Sequence, residues 1–214
     1  MNIRKLPIGV QSKMQFNLKT VFCCFMAVIL NFLTAVFFYQ ILRIPLFFDT
    51  IWTVAVVFLF GLVPGLCVSI GYNVLNGIVW LFKIGTDGRF VFLYSICGIL
   101  IVVSTWLIAR RKEEFQISAQ VTVLYLFMIA LISAFCTVVS SGFIDYFQYV
   151  HYGISDQVNP IKNFTDSFVQ QKFNLLASCI LAQIPISFLD RLIATFSGYG
   201  IFRLAQFFIQ RRKI

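Results

Sequence analysis

Val21 to Leu42 reads VFCCFMAVILNFLTAVFFYQIL, 22 residues without a charged side chain. As an α-helix it reaches about 33 Å, enough to cross the ~30 Å hydrocarbon core of a bilayer. A secretory signal has a shorter apolar region that ends in small residues, so this stretch reads as a retained span. The rest of the chain agrees. Hydrophobic residues make up 60% of the 214 and charged residues 12%, and mean hydropathy is +0.90. A soluble domain is about one quarter charged, so this chain has too few charges to cover a wetted surface. The expectation is an all-α integral membrane protein: a bundle of six transmembrane helices with short loops, two tails and no attached soluble catalytic domain.

After the first run comes RIPLFFDTIW, Arg43 to Trp52, which sets a cation, a proline and an anion between two apolar stretches. Pro45 is expected to end helix 1, and Asp49 to cap helix 2 through its free N–H groups. Helix 2 is expected from near Thr50 to Gly61 or Leu62. Gly61-Leu62-Val63-Pro64-Gly65 reads as a tight break, with Pro64 placed to open helix 3, which then runs from Gly65 to about Phe82. Lys83 to Arg89 has turn chemistry. Helix 4 is expected over Phe90 to Ala109, before the hydrophilic stop Arg110-Arg111-Lys112-Glu113-Glu114. Helix 5 covers about Val121 to Ile144, and a polar connection containing His151 follows from Asp145 to Lys172. The organisation is a cytoplasmic tail over 1–19, one membrane domain over 20–210 and a basic cytoplasmic end over 211–214.

The net charge of +9 is spread in short clusters between apolar runs. That is a topology signal rather than a nucleic-acid surface. With six spans, one side holds ten lysines and arginines: four in the N-terminal tail, three at 110–112 and three at 211–213. The other side holds five: Arg43, Lys83, Arg89, Lys162 and Lys172. The positive-inside rule then puts both termini in the cytoplasm. Phe173 to Leu189 and Leu192 to Gln210 are both apolar, with Asp190-Arg191 between them. Both termini inside leaves one crossing for the pair, so the other segment lies flat in the interface or enters as a half-helix.

No catalytic constellation appears. The sequence has no HExxH, GxSxG or Walker lysine motif, and its single histidine and scattered acids do not make a metal site. The six cysteines lie in apolar runs without a CxxC and read as small buried hydrophobes. The expectation is a non-enzyme with no metal and no cofactor of its own. Polar groups in lipid are costly, which singles out Asn31, Asn73, Asn76, Gln183 and Asp190. Ala27, Asn31 and Ala35 recur every four residues on helix 1, a spacing that suits either packing inside the bundle or docking of a partner subunit. Gly65, Ser69, Asn73 and Gly77 form a similar row on helix 3, read as internal packing. The outer side gathers Asp49, Trp52, Trp80, Tyr94, Asp145, Tyr146, Tyr149 and His151. Those rings suit an interfacial aromatic belt or a pocket that stacks a planar solute.

LFFDTIWTVAVVFLFGLVPGLCVSIGYNVLNGI, residues 46–78, resembles helices 2 and 3 of the substrate-binding S components of energy-coupling factor (ECF) transporters. The likeness rests on Pro45-Leu46-Phe47, Asp49-Thr50, the break from Gly61 to Gly65, and Asn73. IPISFLDRLIATFSGYGIF, residues 184–202, resembles the final segment of the same branch. The helix 1 stripe is like the family's docking motif, with Asn31 standing where the usual form keeps alanines four apart.

The resemblance implies a six-helix subunit of the cytoplasmic membrane that binds a vitamin or related heterocycle from outside. Its partners would be a transmembrane T component and two ATPase subunits, which use the ATP. Together with the residues it gives a ligand-binding set of Asp49, Trp52, Asn73, Asn76, Trp80, Tyr94, Tyr146, Asp190 and Arg191. The docking set is Ala27, Asn31 and Ala35. It also implies that Leu192 to Gln210 is the last span, with Phe173 to Leu189 an outer half-helix between helices 5 and 6 and Asp190-Arg191 at the outer mouth. Two other readings stand beside it: a ligand-sensing membrane module that works with a separate signalling partner, and a structural or assembly factor without a ligand.

Overall fold

The computed structural model describes residues 17–42, 44, 46–110, 118–152 and 161–211. Arg43, Pro45, the stop residues 111–114 and both chain ends lie outside the described residues. Among the described residues every regular element is helical. In chain order these are α1 (Leu18–Val36), α2 (Ile51–Phe60), α3 (Leu62–Ile84), α4 (Ser95–Ala109), α5 (Ala119–Tyr152), α6 (Lys162–Gln170) and α7 (Leu175–Arg211). A π-turn over Phe37–Ile41 closes α1, and a 3-10 segment over Gly85–Tyr94 joins α3 to α4.

Five of the helical stretches are long and apolar enough to cross a membrane. The surface is apolar and the interior carries polar groups, the reverse of a soluble bundle. Leu18, Phe22, Phe25, Phe82, Phe135, Leu204 and Phe208 are exposed, while Asn31, Ser69, Asn73, Thr137, Ser141, Asp145, Gln183, Asp190 and Arg191 are buried. Lipid accepts the first group and cannot satisfy the second, so the polar side chains turn inward, where most bond one another or the backbone. The chain has the make-up of a multi-pass helical membrane protein.

α2 is the centre of the bundle. It has only ten residues, ~15 Å of helix, and is hydrophobic all round. It packs against α1, α3, α4 and α7. Gly61 separates α2 from α3 in a single residue, at φ 90°. Only glycine takes that backbone without strain, and it lets α3 begin at once. Pro64 therefore falls inside the first turn of α3, where its missing N–H costs nothing. The helix 3 row faces inward as expected: a Cβ on Gly98 of α4 would lie 2.1 Å from Ser69 Oγ and 3.0 Å from Asn73 Nδ2.

The second half departs from the sequence reading. α5 does not stop at Ile144 but runs on through Asp145 to Tyr152. The turn expected at Lys83 to Arg89 is helical as well. α7 is one helix of 37 residues, ~55 Å long, with Pro185 and the Asp190-Arg191 pair inside it. The expected break between a half-helix and a last span is therefore absent. The charges that suggested the break are paired where they stand, with each other and with the segment before α2. α5 and α7 form the most extensive pair in the molecule. Their backbones meet closely at Gly142, where a Cβ would lie 3.0 Å from Ile180 Cα. α6 covers α7 near its start, packing Ile161 and Phe168 against Ala182 and Ile186.

Candidate functional site

The segment 46–50 between α1 and α2 is not helical. Phe48 holds φ 45°, a left-handed backbone that is uncommon for an aromatic residue. Its N–H donates to Asp190 Oδ1 at 2.8 Å, which fixes the segment to α7. Thr50 is the N-cap of α2, and no side-chain hydrogen bond caps the helix from that position. Asp49 accordingly does not play the capping part expected of it. Asn31 takes that part from α1: its Oδ1 accepts the Trp52 N–H at 3.1 Å, and its Nδ2 donates to Thr53 Oγ1 at 2.8 Å.

Asp49 instead meets Arg191. One guanidinium nitrogen of Arg191 donates to Thr50 Oγ1 at 2.7 Å. The other donates to Asp49 Oδ1 at 3.3 Å and to Asp190 Oδ2. The third, Nε, is buried and has no partner. Arg191 is 3% exposed and Asp190 fully buried, whereas the Asp49 side chain keeps 22% of its surface open. Tyr72 also adjoins Asp49.

These groups form the charged wall of a cavity of about 160 Å³. α3 contributes Tyr72, Asn73, Asn76 and Trp80; the 46–50 segment adds Phe47, Asp49 and Thr50. Tyr94 and Cys97 enter from the start of α4 and the turn before it, Thr137 and Ser141 from α5, and Gln183 and Arg191 from α7. Phe32 and Ala35 of α1 close the near side. The α5 hydroxyls are spent on their own helix, Thr137 on Ser133 O and Ser141 on Thr137 O. Amides and charged groups are left to define the chemistry of the wall. Behind it, the Tyr94 hydroxyl and Gln183 Nε2 both donate to the buried carboxylate of Asp145, the amide at 2.6 Å.

Of the nine residues expected to bind ligand, the cavity brings together Asp49, Asn73, Asn76, Trp80, Tyr94 and Arg191. Asp190 stands behind Arg191 and does not line it. Trp52 points elsewhere and donates its indole N–H to Thr34 Oγ1 at 3.2 Å. Tyr146 packs edge-on against Phe147 outside the cavity. The residues expected to dock a partner have three different surroundings. Asn31 is fully buried, Ala35 lines the polar cavity, and Ala27 borders a separate apolar groove between α1, α2 and α7.

The sequence does not single out Tyr72, Thr50 and Gln183 as ligand residues, and its polar connection from Asp145 to Lys172 puts Asp145 in a loop. Tyr72 shares a helical row with Asn76 and Trp80, four residues apart each time, and that spacing was readable. No protein-family model, curated protein or solved structure matches this chain.

Proposed function

We propose that this chain is the membrane-embedded binding subunit of a nutrient importer. It captures a small ring-bearing solute from outside and delivers it to an ATP-driven ECF-type transporter. The observation that carries the reading is the cavity. It is lined by five helices and the 46–50 segment, and combines aromatic side chains at Phe32, Phe47, Tyr72, Trp80 and Tyr94 with the polar groups of Asp49, Asn73, Asn76 and Arg191. Rings surrounding a few fixed polar groups are the usual make-up of a site for a planar polar solute.

In this reading α2 and the non-helical residues before it make a sixth crossing, with both termini in the cytoplasm and the cavity in the outer half of the bundle. The partners are a T component and two ATPases, and all ATP hydrolysis takes place on them. The membrane is the cytoplasmic membrane.

The test is purification from native membranes in mild detergent, followed by mass spectrometry of retained small molecules and associated proteins. A stoichiometric solute together with two ATPase subunits is expected. Arg191→Gln should lose the solute. Purification without any retained small molecule, from cells grown in rich medium, counts against the reading.

A further inference from the structure

The wall of the cavity is charged unevenly. Asp190 is fully committed, with Oδ1 accepting the Phe48 N–H and Oδ2 paired to Arg191. It neutralises the one guanidinium. Asp49 is the second acid on the same cation, at a longer 3.3 Å, and it is the acid that lines the cavity. The trio of Asp49, Asp190 and Arg191 therefore has a formal charge of −1, with the excess on the side facing the cavity. Asp145 lies one hydrogen bond behind the wall, through Tyr94 and Gln183, and adds negative rather than positive potential. Among the described residues no lysine and no second arginine lines the cavity. Aromatic side chains line the same space, and ring faces attract cations through their quadrupoles; that of Trp80 already holds the Lys83 ammonium 5.0 Å from its centroid.

We infer that the solute carries a protonated amino or amidinium group that meets Asp49. This rests on the solute-capture reading and narrows it to cationic, ring-bearing compounds. An anionic solute would face the uncompensated carboxylate, and like charges repel.

Thiol-modifying reagents of opposite charge can read the cavity's field without knowledge of the solute. A cysteine replaces Asn76 at the cavity wall, in a full-length variant whose six native cysteines are serine or alanine. Its rate is measured with 2-(trimethylammonium)ethyl methanethiosulfonate and with 2-sulfonatoethyl methanethiosulfonate. Each rate is normalised to that with free 2-mercaptoethanol. Clefts of one sign change the rates of charged partners by ~10- to 1,000-fold, so a preference of at least ~10-fold for the cationic reagent is expected. Asp49→Asn should remove most of that preference and Asp49→Glu should keep it. Equal rates, faster reaction with the sulfonate, or a preference that survives Asp49→Asn overturns the inference. Such a result leaves solute capture standing, because retention of a solute is measured separately. Loss of capture with the field intact would remove the functional reading and not the charge assignment.

Discussion

Asn31 on α1 accepts the backbone N–H of Trp52 at 3.1 Å, in the first turn of α2. A residue from one helix thereby does the work of an N-cap on the next. α2 needs this, because Thr50 supplies no side-chain cap and lipid offers no water for the first-turn donors. Asn31 also holds Thr53, so one buried amide ties α1 to the central helix twice. Asn31→Ala leaves the Trp52 N–H without a partner, at a cost of ~1–3 kcal/mol. Thermal unfolding in detergent should show the midpoint drop by several degrees, at roughly 2–4 °C per kcal/mol for a chain of this size. Asn31→Leu should fall at least as far, because it adds bulk to a closed contact. Melting unchanged in both variants would mean that the amide does not hold α2.

The Asp190–Arg191 pair gives a second prediction. Arg191→Gln leaves two carboxylates near each other without their cation, and breaking a buried pair this way costs ~3–5 kcal/mol. Asp190→Asn should be costly too, since it weakens the partner of Arg191 and the acceptor of the Phe48 N–H. The double variant should be much less unstable than the sum of the two. A double-mutant cycle by chemical unfolding measures that coupling. Losses that add within ~0.5 kcal/mol would show that the two side chains act independently.

The polar interior was largely visible in the sequence as spacing. Ser133, Thr137, Ser141 and Asp145 recur every four residues on α5, and Ser187, Arg191 and Thr195 do so on α7. Each row is buried, as a helical stripe in lipid must be when it cannot face out. Six of the cavity residues were found from residue type and resemblance. The breaks were harder to read. A charge pair inside an apolar run usually marks a loop, and by that rule the helix breaks at Asp190-Arg191. Its partners Thr50 and Phe48 lie about 140 residues away, so nothing local shows that the pair is satisfied in mid-helix. Asp145 misled for the same reason, since Gln183, which donates to it, is 38 residues on. Asp49 looks like a cap because a carboxylate before an apolar helix ordinarily is one. The true acceptor for Trp52 came from another helix.

The close passage of α5 and α7 supplies a third prediction. At Gly142 a new Cβ would lie 2.7 Å from Ile180 Cγ1, 3.0 Å from its Cα and 3.2 Å from its backbone nitrogen. The side chain can turn away, but the backbone cannot unless the helices part. Gly142→Ala should therefore cost ~1–3 kcal/mol, and Gly142→Val more. Ile180→Ala should rescue Gly142→Ala only in part, because two of the three contacts are with backbone. Complete rescue, or no loss in Gly142→Ala, would mean that the helices are not in backbone contact there. Thermal unfolding of the single and double variants decides it.

Continuity of α7 sets the geometry of the whole site, because Gln183 and Arg191 reach the cavity from points two turns apart on one continuous helix. A single helix places Leu176 and Phe208 about 48 Å apart along its axis. Spin labels on cysteines at those two positions, in a background without the native cysteines, should give one distance distribution near that value, less a few ångströms for any bend at Pro185. An outer half-helix folded over the bundle would bring the labels much closer together. Cysteine accessibility adds the direction. A cysteine at Gln170, exposed on α6, should react with an impermeant maleimide on intact cells, and one at Arg211 only after permeabilisation. Reaction of both from one side, or a label distance far below 48 Å, would replace the continuous crossing with a broken one.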